Sequence, residues 1–111
     1  MKKEYKNNTE YEAAVERIEK MEKAFDRAQA AGAKLEKALE VYSKSLADIK
    51  TLGGYYGGQW KKDFAADENG ELPSELKRGV LSEDGLWNFF DDSRELAEEL
   101  KRLGEELGAL L

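Results

Sequence analysis

"TEYEAAVERIEKMEKAFDRAQAAGAKLEKALEVYSKSLADIKTL", residues 9–52, returns an apolar or small residue to the same face every seventh position. One row reads Tyr11, Ile18, Phe25, Gly32, Leu39, Leu46; the other reads Ala14, Met21, Ala28, Leu35, Tyr42, Ile49. Alternating three- and four-residue spacing over six heptads is the pattern of a long helix in a bundle or coiled coil. Thr9 and Glu12 have capping-box spacing, so the helix is expected over residues 10–52, with Gly53-Gly54 as its stop. It would be roughly 65 Å long.

The flanking positions refine the reading. With Tyr11 at heptad position a, the g positions are Arg17, Ala24, Ala31, Ala38, Ser45 and Leu52. Small residues here widen the buried stripe beyond a two-stranded seam and favour a bundle, in which two neighbours touch the helix. Gly32 costs about 1 kcal/mol against alanine in a helix interior. No proline or turn cluster accompanies it, so a continuous helix is expected.

A second helical pattern runs over 82–110. Ser82 is placed as its N-cap, with Glu83 and Asp84 favourably set against the positive helix end. Leu86, Phe89, Leu96, Leu100, Leu103 and Leu107 then follow helical spacing. The fold class implied is all-α: a long N-terminal helix packed antiparallel to a C-terminal helix, with short helices in the connector 53–81, all within a single domain spanning 1–111. The second helix, about 42 Å long, would leave about 20 Å of the first uncovered. That excess argues for a homodimer.

The connector holds the unusual chemistry. Trp60, Phe64 and Tyr56 fall at i, i+4 spacing, enough for a short apolar-faced helix. Pro73 fits the first turn of another, with Leu72 as a staple, Leu76 pointing inward and Gly79 ending it.

Composition narrows the functions. The chain has 111 residues, no Cys, no His and a net charge of −6. Without His or Cys it lacks the usual neutral-pH general base and the commonest zinc ligands. Residues 82–111 carry three basic and nine acidic side chains, which holds the whole imbalance and disfavours nucleic acid and anionic lipid. Neither a signal peptide nor a membrane span is expected.

The stretches "RIEKME" (17–22), "YY" (55–56), "WKKDF" (60–64), "ADENGELP" (66–73) and above all "LKRGVLSEDG" (76–85) resemble a small bacterial family known as domain of unknown function 4298. The likeness spans residues 17–96, departing at Gly85, where the family favours a helix former, and at Trp87, where it favours Tyr. The resemblance implies a compact helical bacterial protein with no assigned activity and no catalytic residues to carry over.

The candidate binding or structural corner comprises Tyr55, Tyr56, Trp60, Asp63, Asp67, Lys77, Arg78, Ser82 and Asp84. "ADENGE" has the middle of a calcium loop but lacks both decisive carboxylates, and it reads as Asn-Gly turn chemistry. Arg78 is expected to pair with Asp63 or Asp67 and lock the connector. No catalytic, cofactor or metal residues are assigned. The function expected is a non-catalytic, cytoplasmic protein-interaction or scaffold module, homodimeric and able to take a protein partner. Alternatives are a small-anion site built from Lys77, Arg78 and Ser82, and a carboxylate-dependent enzyme.

Overall fold

A computed structural model describes residues 3–111. The elements in order are α1 (Asn8–Tyr56), α2 (Trp60–Glu68), a 3-10 turn (Gly79–Leu81) and α3 (Gly85–Leu110). No strand occurs among the described residues, so the all-α class with a long N-terminal and a C-terminal helix stands. The chain divides into two compact units, one reaching to Leu46 and the other comprising Ala47–Leu111.

In the first unit α1 starts two residues earlier than the Thr9 box implies. Asn7 Oδ1 accepts the Glu10 N–H at 2.9 Å, and Glu10 Oε2 accepts the Lys6 N–H at 2.8 Å. Asn7 and Glu10 have the same three-residue spacing as Thr9 and Glu12, so the cap forms two residues upstream, with the glutamate reaching the Lys6 N–H rather than that of Asn7. The Tyr5 hydroxyl accepts from Arg17 at 3.3 Å, which ties the leading segment to the helix. Ala14 is the buried apolar residue of this unit.

α1 passes through Gly32 without a break. It also passes through Gly53-Gly54, contrary to the expected stop at residue 52, and ends at Tyr56. Glycine weakens a helix interior but stops it only where the backbone turns left-handed. Among the described residues Gly70 alone has positive φ. Continuing the helix sets Tyr56 against Trp60, edge-on at 5.0 Å, and against Phe90 at 5.7 Å. These contacts offset the helix cost of the two glycines.

The second unit is built on that aromatic ladder, extended by Phe64 stacked on Trp60 at 4.9 Å. Leu81 and Leu86, both buried, complete its small core. α2 closes with a Schellman motif: Glu71 N–H bonds Ala66 O, Gly70 N–H bonds Asp67 O, and Gly70 takes φ +74°. The Asn69-Gly70 pair is therefore a helix stop.

Two sequence expectations fail beyond it. Pro73 opens no helix; residues 73–76 make a single turn closed by Leu76 N–H to Pro73 O, Leu76 is exposed, and Gly79 begins the 3-10 turn rather than ending a helix. Nor does Ser82 cap α3, which begins at Gly85 instead of residue 82. The Ser82 hydroxyl donates to Gly79 O at 3.0 Å, and the cap position falls to Asp84, whose side chain makes no cap bond.

Candidate functional site

The connector residues separate into two bonded groups. In one, the Tyr55 hydroxyl donates to Asp63 Oδ2 at 2.7 Å and Gln59 Nε2 donates to Asp63 Oδ1 at 3.3 Å. Partial burial, and then the bond to the Asp63 carboxylate and its charge, push the Tyr55 phenol up to about 12. This phenol is a hydrogen-bond donor at any ordinary pH.

In the other, Arg78 is the hub. Its Nε donates to Asp67 Oδ1 at 2.7 Å, NH1 to Ser74 O at 3.0 Å and Leu76 O at 2.8 Å, and NH2 to Pro73 O at 2.6 Å. A planar guanidinium with its donors fixed in a fork is suited to gathering several carbonyls at once. It also explains the missing helix at Pro73. The carbonyls a helix would turn along its axis are collected instead by a side chain farther down the chain. Of the two acids expected to pair with Arg78, Asp67 does so and Asp63 bonds elsewhere.

The remaining candidates are arranged around this lock. The Trp60 Nε1–H donates to Val80 O at 2.6 Å, fastening α2 to the 3-10 turn. Asp84 O accepts the Asn88 N–H at 2.8 Å, opening α3. Lys77 is exposed, and the Ser82 hydroxyl is already donated to Gly79 O. Sequence reasoning marked Gly85 only as a departure from the family pattern and left it out of the candidate corner. A Cβ there would stand 2.3 Å from Ser82 Oγ and 2.6 Å from Gly79 O, so the entry to α3 closes only around glycine. The signal was the unexpected Gly in an otherwise matching motif.

Chemically, these groups hold one another. Asp63 and Asp67 accept from different partners, Arg78 bonds within its own loop, and no set of three metal-binding side chains converges among the described residues.

A different surface stands open in the first unit. Much of the heptad face of α1 is exposed, with Ile18 55%, Phe25 57% and Leu46 56% accessible, while Ala14 is buried and Tyr42 half-buried. Met21, Leu35 and Leu39 on the same face are exposed as well. No helix of the described residues is long and apolar enough to cross a membrane. A helix takes most of its stability from packing its apolar face, and much of this face is left exposed.

A family model described as a domain of unknown function (DUF4298) matches residues 18–103. No curated protein and no solved structure matches the chain.

Proposed function

The chain belongs to the DUF4298 family, and we propose that it works as a non-catalytic, homodimeric interaction module of the bacterial cytoplasm. The heptad face of α1 is its interface. One observation carries the reading: Ile18, Met21, Phe25, Leu35, Leu39 and Leu46 on the heptad face of α1 lie exposed, while Ala14 on that face is buried. An apolar stripe of that length on a lone chain is the mark of a protein contact. A second copy supplies a matching stripe, since a two-fold interface uses the same patch twice.

The second unit holds the aromatic ladder and the buried Leu81 and Leu86. Its polar side chains bond within the connector, which supports a structural rather than a catalytic role for the Arg78 corner. The absence of His and Cys points the same way.

Sedimentation equilibrium of the full chain at micromolar concentration tests this. The mass expected is about twice 12.6 kDa, through an interface above ~1,000 Å². A mass of 12.6 kDa at every concentration would overturn the proposal.

A further inference from the structure

Over residues 12–46 the charges beside the α1 seam are sorted by side. On the flank made by heptad positions b and e, from Glu12 to Leu46, stand Glu12, Glu19, Glu22, Asp26, Glu36 and Glu40, with no base. Over the same span the flank made by positions c and g carries Arg17, Lys20, Arg27 and Lys34 with no acid; outside that span Glu10 stands at g, Asp48 at c and Lys50 at e. All ten side chains are exposed. Arg17 reaches the Tyr5 hydroxyl at 3.3 Å, and Lys20 lies 3.7 Å from Glu16 on the outer face. Both contacts are solvated and weak.

We infer that the second copy lies parallel to the first and in register along α1, with the basic flank of each chain against the acidic flank of the other. The inference rests on the reading of this seam as a self-interface and adds its direction. In a parallel pair the g side of one helix faces the e side of its partner, and charges at these positions set orientation. In an antiparallel pair e faces e and g faces g. Glu22 and Glu36 would then lie along an acidic partner flank, and Arg17 along a basic one. Like charges brought together discriminate against that arrangement.

Register follows from the same residues. Arg17 at g and Glu22 at e stand five apart, the offset at which g meets the partner's e in a parallel pair. The alanines at the later g positions leave room for the c-position cations, Arg27 and Lys34, to lean across the seam. Each a and d residue then meets its own copy, Ile18 on Ile18 and Leu35 on Leu35.

The native chain has no cysteine, so single substitutions report contacts cleanly. Met21→Cys and Tyr42→Cys, both at d, lie about 31 Å apart along the helix. In the parallel pair each variant forms a disulfide with its own copy on mild oxidation, because facing d positions come within bridging distance. An antiparallel pair brings at most one of them opposite itself. Linkage of only one variant, or of neither, in chains that still sediment as dimers would overturn the inference and leave the homodimer standing. A monomeric native chain would overturn both. A charge swap gives an independent measure. Arg17→Glu should weaken the dimer roughly tenfold, and adding Glu22→Arg should restore it. A double variant as weak as the single would refute the parallel register.

Discussion

The indole nitrogen of Trp60 and the backbone carbonyl of Val80, twenty residues apart, are joined by a 2.6 Å hydrogen bond. The same ring stacks on Phe64 and meets Tyr56 edge-on, so one side chain joins α2, the end of α1 and the 3-10 turn. Trp60→Phe keeps an aromatic ring and deletes the donor. It should cost about 1 kcal/mol, since the exposed carbonyl can turn to water. Urea unfolding with an unchanged slope checks it, and an unchanged midpoint would show that the bond contributes nothing.

Two glycine-to-alanine changes should move stability in opposite directions. Gly85→Ala places a methyl 2.6 Å from the Gly79 carbonyl and should cost ~1–3 kcal/mol as the turn is forced apart. Gly32 has nothing within 4 Å of its absent Cβ, and alanine there should add about 1 kcal/mol of helix stability. Thermal unfolding followed by circular dichroism distinguishes the two. A tolerated Gly85→Ala would mean that α3 can start elsewhere.

Arg78 should couple to Asp67 and not to Asp63. A double-mutant cycle pairing Arg78→Ala with Asp67→Asn should show an interaction of roughly 1 kcal/mol, since both groups are partly exposed. The cycle with Asp63→Asn should be additive. Arg78→Lys should rescue little, because an ammonium cannot hold the three carbonyls in the guanidinium plane. Full rescue by lysine would reduce the lock to its charge.

The Tyr55 phenol makes a prediction in alkali. Its folded value near 12 lies above the ordinary tyrosine value of 10.0, so folding favours its protonated form. That stabilisation is fully present below pH 10 and is lost as pH rises towards 12. Tyr55→Phe should therefore flatten the loss of stability in that window. Phenolate absorbance during an alkaline titration gives a second readout: the native chain should hold one late-titrating tyrosine that the variant lacks.

The parts of this fold that repeat are legible in the sequence. Heptad spacing located α1, and i, i+4 spacing found the Trp60–Phe64 stack, because both depend on residues within one helix. The Asp67–Arg78 pair was one of two chemically reasonable choices. The misreadings share a cause. Asn7 and Thr9 are each followed three residues later by a glutamate, and a local pattern cannot show that Lys6 would complete the earlier cap. Pro73 looks like a helix start until Arg78 takes the carbonyls. Ser82 looks like a cap until Gly85 lets the backbone close on it. In each case the deciding bond comes from outside the motif.

Proteases that cut after basic side chains must draw the guanidinium into a specificity pocket. Between Lys77 and Gly79 the chain offers them Arg78, in a partly exposed loop without a helix to protect it. Yet the group they need is bonded to Asp67 and to three carbonyls of its own loop. Cleavage after Arg78 therefore waits for the loop to open, and its rate follows the open population rather than surface access. Neighbouring Lys77 has no such tether, so the order in which the two bonds are cut becomes a gauge of how firmly this corner stays shut.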